Sequence, residues 1–184
     1  MKQKLKKYIV PFLKEMLPVI AGILIALFID NWNDERKNNR YIDQVFSSIN
    51  SELKESNEDI KENIPLQKSL IDSLETYSND LNMSVLDIML TSGGITIPTI
   101  KTSTWKAVSN SKIDLVSYKK IVALSNIEEQ KEILKSKSDY LMHFLYSNLY
   151  ATDKQKKEVL KILLLDIIQT EKTTLQYIDS FETL

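Results

Sequence analysis

The chain has 184 residues, a formal net charge of −1, no cysteine, three glycines and four prolines. That length holds one ordinary domain plus an appendage, and the absence of thiols excludes disulfides, thiolate metal sites and cysteine nucleophiles together. Scarce glycine and proline beside plentiful leucine, isoleucine, lysine and glutamate predict an all-α chain rather than a turn-rich sheet protein.

Residues 1–15 carry Lys2, Lys4, Lys6, Lys7 and Lys14 against Glu15 alone, so the rest of the chain is net acidic. This start is expected to be a basic cytoplasmic or interfacial segment, its lysines close to anionic headgroups. From Met16 to Ile29 there is no charge. At 1.5 Å per residue that run reaches about 21 Å, short of a hydrocarbon core of about 30 Å. A transmembrane helix is therefore assigned to residues 16–32, with apolar Tyr8 to Leu13 available to start it near residue 8 while Lys14 snorkels. Pro18 fits the first turn of a new helical segment after a bend as well as a kink within one longer helix.

A basic start and a short apolar run are also the pattern of a cleaved signal peptide, but no small-x-small pair follows Ala26, and an uncleaved anchor is the expectation. More lysine precedes the span than the Arg36, Lys37 and Arg40 that follow it. The positive-inside rule then places the N-terminus in the cytoplasm and the helical domain, residues 33–184, in the periplasm of a bacterium with an inner membrane. Trp32 sits where an indole lies best, ring among acyl-chain ends and N–H toward water. The anchor and interface residues are Leu17, Pro18, Gly22, Ala26, Asp30, Asn31, Trp32 and Asn33. Pro18, Gly22, Ala26 and Asp30 recur every four residues along one flank, a groove for a partner's transmembrane helix or a second copy of this one; such spacing also arises by chance in any alanine-bearing span.

The run "GILIALFIDNWNDERK", residues 22–37, resembles the signature A-L-x-I-x-N-W-N-[DE]-x-[KR] of a family of uncharacterised single-pass membrane proteins of Bacteroidetes-type bacteria. The likeness continues weakly through "YIDQVFSSINSELKESN" and "STWKAVSNSKIDLVSYKKI", with Asn31-Trp32-Asn33 its most specific part. It implies a membrane anchor and brings no activity, cofactor or partner.

Nothing between Ala21 and Ile64 breaks a helix except the tolerated Gly22, so the membrane helix is expected to continue into the aqueous domain as a stem. Ile42, Phe46, Ile49, Leu53 and Ile60 form its apolar stripe, with Ser56 a polar gap. Pro65 is expected to end or kink it. Leu66, Leu70, Leu74 and Tyr77 continue at helical spacing to about Leu81, a short helix lies within Ser84 to Leu90, and "TSGGITIPT", residues 91–99, is the long loop. Ser103 is expected to cap a short helix carrying Trp105 and Val108, and Ser111 or Asp114 another that runs to about Leu124. Asn126 then opens a helix through Leu134, Leu141 and Leu145, and Thr152-Asp153 opens the last, with Leu160, Leu164, Ile167 and Ile168 on its apolar face. The fold class is thus all-α: a transmembrane helix continuing into a long helix, then an antiparallel extracytoplasmic helical bundle.

Chemistry finds little purchase. His143 is the lone histidine, without a partner for a transition-metal site, and is read as packing. No nucleophile elbow appears, and Gly93-Gly94 lacks the context of a phosphate loop. Glu52, Glu55, Glu58, Asp59 and Glu62 alternate with Lys54 and Lys61 and read as a solvated helix face. No catalytic, cofactor-binding or metal residue is assigned, the outer domain is too acidic for nucleic acid, and the chain is not expected to be an enzyme. Its expected partners are the lipid bilayer and a membrane protein or a second copy met through the transmembrane helix. Three function classes remain: an accessory or scaffold subunit of an envelope complex, a periplasmic sensor signalling through a partner, and a membrane-disrupting oligomeric effector. The last ranks lowest because the span carries no polar stripe.

Overall fold

The computed structural model describes the backbone from Lys2 to Leu184, and the side chains of Phe12 and of residues 16–184. Five α-helices and one 3-10 turn follow one another: α1 Lys2–Thr76, α2 Val85–Thr91, α3 Ser103–Ser109, the 3-10 turn Ile113–Leu115, α4 Tyr118–Asn148 and α5 Lys154–Glu182, with no strand among the described residues. The chain divides into two compact units, meeting in sequence between Gln44 and Val45, and each is described by itself.

The first unit is the leading part of α1. Pro18 does not begin a new helix: the backbone is helical on both sides of it. Every described side chain from Met16 to Ile29 is exposed. Past this run, Lys37 donates to Asp34 at 3.3 Å and the Arg36 guanidinium lies 5.8 Å over the Trp32 ring, one helical turn away.

In the second unit α1 continues to Thr76, passing Pro65, so of the expected end or kink there the end does not occur. A proline in a helix interior costs about 3 kcal/mol, because it lacks the N–H that would reach the carbonyl four residues back and crowds that carbonyl. Here that carbonyl belongs to Lys61, an exposed residue, and buried Ile60, Leu70 and Leu74 hold the helix on either side. Packing overrides the local breaker. Pro65→Ala is accordingly expected to stabilise by about 1–2 kcal/mol, the regained bond less the entropy the unfolded chain recovers. A later urea midpoint at unchanged slope would register it, and an earlier midpoint would show that the proline serves the fold.

α1 and α5 run antiparallel. Glu75 pairs with Lys161 at 3.5 Å, Gln67 donates to Glu171 at 2.7 Å, Asn57 donates to Asp179 at 3.2 Å, and Phe46 stacks on Phe181. α4 and α5 form a hairpin, tied by Lys137 to Asp166 at 2.7 Å. α4 therefore runs parallel to α1, and the chain must first return along α1. The crossover does this over residues 92–102.

The return starts at α2, where Ser84 and Asp87 form a reciprocal capping box, Asp87 Oδ2 accepting from Ser84 N at 3.0 Å and Ser84 Oγ from Asp87 N at 3.1 Å. The N–H groups of Val85 and Leu86 donate to Ala151 and Leu149 of the α4–α5 turn at 2.9 and 2.8 Å. α2 closes in a Schellman turn: Gly93 and Gly94 have φ of +87° and +93°, and Gly94 N donates to the Met89 carbonyl at 2.8 Å. Only glycine takes that backbone without strain.

A row of α1 side chains then receives the crossover. Gln67 donates to the Thr96 carbonyl at 3.0 Å, Asp59 accepts from Thr99 N at 2.7 Å, and Ser56 accepts from Lys101 N at 2.8 Å. Glu52 takes Thr104 N at 3.1 Å and Thr104 Oγ1 at 2.9 Å. Residues 52, 56, 59 and 67 are three, four or eight positions apart and share one helix face. This corrects three expectations. Glu52 and Asp59 are structural acceptors rather than a solvated face, and Glu55 pairs with Lys101, while Glu58 and Glu62 stay exposed. Ser56 is no gap in the stripe but a fully buried bridge. Ser103 does not cap α3: the cap position is Thr102, which makes no side-chain cap bond, and the anionic cap comes from Glu52.

α4 is one helix from Tyr118 to Asn148, so Asn126 lies inside it and opens nothing. Asp153 caps α5 by accepting from Lys156 N at 3.0 Å, as its sequence position predicts. The interior is built from Ile49, Leu53, Ile60, Leu70 and Leu74 of α1, Leu124, Ile127 and Leu141 of α4, and Leu160, Leu164, Ile167 and Ile178 of α5. His143 is exposed on α4, against the packing role expected for it.

Candidate functional site: the apolar segment and the interior polar cluster

The segment singled out by sequence lies entirely on α1. Leu17, Pro18, Gly22, Ala26, Asp30, Asn31, Trp32 and Asn33 are all exposed. α1 contains an eighteen-residue window of mean hydropathy 1.6, none of it buried by the protein, and is long and apolar enough to cross a membrane. A solvent-exposed apolar run of this size is unstable in water and stable in hydrocarbon, where every backbone polar group is already satisfied within the helix. Pro18, Gly22, Ala26 and Asp30 stand at four-residue intervals on this helix, and a Cβ built on Gly22 meets nothing within 4 Å. Beyond the apolar run, Trp32 beside Arg36, with Glu35, Asn39, Arg40 and Asp43, lines one shallow surface groove.

Inside the bundle the sequence reading missed a set of polar groups. Glu171 is fully buried and accepts from Gln67 at 2.7 Å, while the same Gln67 amide donates to Thr96 of the crossover. Burial pushes the Glu171 carboxyl up to about 7 and the nearby Asp59 charge adds to this, against the Gln67 hydrogen bond, which favours the anion. Lys157 is almost fully buried and donates to the carbonyls of Tyr77 and Asp80 at 2.8 and 2.6 Å, closing the C-terminal end of α1 from α5. One signal for these residues was present in the sequence. Gln67 falls in the stripe that holds Ile60, Leu70 and Leu74, and Glu171 falls between Ile167 and Ile178, so both are polar residues at positions the helix period assigns to the core.

Among the described residues no three of His, Asp and Glu converge in a way that could hold a metal ion. At the opposite end of the bundle from Lys157, Tyr118, Val122, Ala123, Tyr177 and Leu184 line an open apolar groove. No family model, curated protein or solved structure matches this chain.

Proposed function

We propose that the chain is a non-enzymatic, inner-membrane anchored helical protein of a bacterium, serving as an accessory or scaffold subunit of an envelope complex. In this reading its N-terminus is cytoplasmic and its bundle periplasmic. One observation carries the proposal: a single helix holds both an apolar window with no buried residue and, further along, the core positions of a packed bundle. The apolar helix of a water-soluble core has that window covered by its neighbours. The lysine excess ahead of the window supports the orientation, and the Asn31-Trp32-Asn33 likeness supports the anchor. Lipid is one partner. The other is a transmembrane helix, of a larger protein or of a second copy, seated along Pro18, Gly22, Ala26 and Asp30, where small side chains allow close approach.

The natural chain has no cysteine, so single introduced cysteines report topology directly. In intact cells a membrane-impermeant maleimide is expected to label Lys154→Cys and to leave Lys4→Cys unlabelled until the membrane is opened, while alkaline carbonate leaves the protein in the bilayer. The reverse labelling overturns the orientation, and release by carbonate, or a mature chain beginning beyond Trp32, overturns the anchor. For the partner, Gly22→Leu with Ala26→Leu is expected to weaken association in membranes about five-fold or more. Unchanged association removes the groove, and co-purification from native membranes in mild detergent identifies what occupies it.

A further inference from the structure

The interior cluster has more hydrogen-bond acceptors than hydrogens. Asn63, Gln67 and Glu171 are 8, 2 and 0% exposed. Asn63 spends its amide on the backbone and side-chain oxygens of Asp59, both at 2.8 Å, and Gln67 spends its amide on Thr96 and Glu171 at 3.0 and 2.7 Å. That leaves Asn63 Oδ1, Gln67 Oε1 and Glu171 Oε2 buried, each without a donor. A buried amide oxygen and a buried carboxylate oxygen both want a proton nearby, and of the three residues with a donorless oxygen Glu171 is the one that can take a proton up from solvent.

No cation of the described residues is bonded to Glu171. From α1 the charge facing it is Asp59, a like charge. The crossover offers the Thr96 carbonyl and has no ionisable side chain between Ser92 and Ile100. On α4, Lys137 is committed to Asp166 Oδ1 at 2.7 Å and Thr170 Oγ1 at 2.8 Å, and Lys131 to Thr102 Oγ1 at 2.7 Å and Glu128 at 3.9 Å. On α5 itself Asp166 and Lys172 are exposed.

We propose that Glu171 is a proton-binding site: in the closed bundle its carboxylate takes one proton from solvent onto Oε2, and losing that proton leaves a charge buried where α5 and the crossover close on α1, and so loosens that closure. The protonated carboxyl is neutral, so burying it carries no charge-desolvation cost, and Oε2 then carries a hydrogen instead of a buried unpaired charge. The anion keeps the Gln67 bond but sits buried beside Asp59 with one oxygen unpaired. Closure of the bundle is thereby tied to proton activity on whichever side of a membrane the bundle faces, independently of the scaffold reading.

The direction follows from linkage. Glu171 in the folded chain titrates at about 7, above the ordinary 4.5. Its contribution to stability is therefore complete below the ordinary value and is lost as pH rises through the folded one. For the full chain in detergent micelles, raising the pH from about 5 to about 8.5 is expected to weaken the folding equilibrium roughly fifty-fold and to lower the Tm by about 5 °C or more. Glu171→Gln is uncharged at every pH and can donate an N–H toward Gln67, so its Tm is expected to stay level over the same range. Amide exchange at Thr99 and Lys101, corrected for its intrinsic pH dependence, is expected to rise with pH in the natural chain and not in that variant. A carboxyl carbon resonance titrating near 7 in the ¹³C-labelled chain, absent from Glu171→Gln, would support the assignment without relying on stability, and should the variant fail to fold, the titration of the natural chain alone decides. Equal pH slopes in the two proteins, or a Glu171 carboxyl that titrates in the ordinary range, would overturn the proposal.

Discussion

Leu164→Ala is expected to cost about 3 kcal/mol of bundle stability, while Leu165→Ala, the next residue, is expected to stay within about 0.5 kcal/mol. The two side chains are the same and sit on the same helix, yet Leu164 is 0% and Leu165 49% exposed. One step along an α-helix turns a side chain through about 100°, which carries it from the core to the outer face. Truncating Leu164 removes buried carbons from contact with apolar neighbours and leaves a cavity that a close-packed interior fills only in part. Truncating Leu165 returns exposed surface to water that already touched it. Against a typical domain stability of about 5–15 kcal/mol, the first change is visible as a large shift of the urea midpoint at constant slope. Equal effects from the two variants would mean that the register of α5 is wrong.

The second large effect is a coupling. Gln67→Leu is expected to cost about 2–4 kcal/mol, because it takes the donor from both Thr96 and Glu171 and leaves the carboxyl buried with no hydrogen bond at all. Glu171→Leu removes the carboxyl but leaves Gln67 bonded to the crossover. The double variant Gln67→Leu with Glu171→Leu replaces both partners by apolar groups and is expected to be more stable than Gln67→Leu alone, with a coupling energy of about 1 kcal/mol or more. Strict additivity in this cycle would show that the two side chains do not act as a unit. Because the Gln67 bond holds the Glu171 carboxyl down against its burial, Gln67→Leu should also move the pH-dependent loss of stability to higher pH.

These two tests probe different kinds of information. The alternation that separates Leu164 from Leu165 is a property of a short stretch, and the apolar face of α5 is readable from spacing alone. The Gln67–Glu171 clasp joins residues 104 positions apart, and no window of sequence holds both ends of it. The polar character of each at a core position was visible, but not what it meets.

The apolar segment, long enough to cross a membrane, was legible for a reason of the first kind. Partition into hydrocarbon sums transfer free energies residue by residue and needs no partner, so an uncharged run from Met16 to Ile29 declares itself. So do the caps. Ser84 with Asp87 and Asp153 with Lys156 complete their bonds within three residues, and the glycine pair after α2 marks its end because only glycine takes a positive φ freely.

What the tertiary structure decided lies at greater distance. Pro65 stops a helix in isolation, yet here the packing of residues on both sides outweighs the missing bond. Glu52 and Asp59 look like solvated charges on a lone helix and become anchors only because the crossover passes within hydrogen-bond reach. The same return path makes α4 parallel to α1, which no helical period encodes. Within its own sequence, then, the chain determined its helical class, its apolar window and its local caps, all set by groups within one or two turns of each other. The direction of its helices, the work of its buried polar side chains and the affinity of Glu171 for a proton were set by contacts that exist only once distant segments have closed on one another.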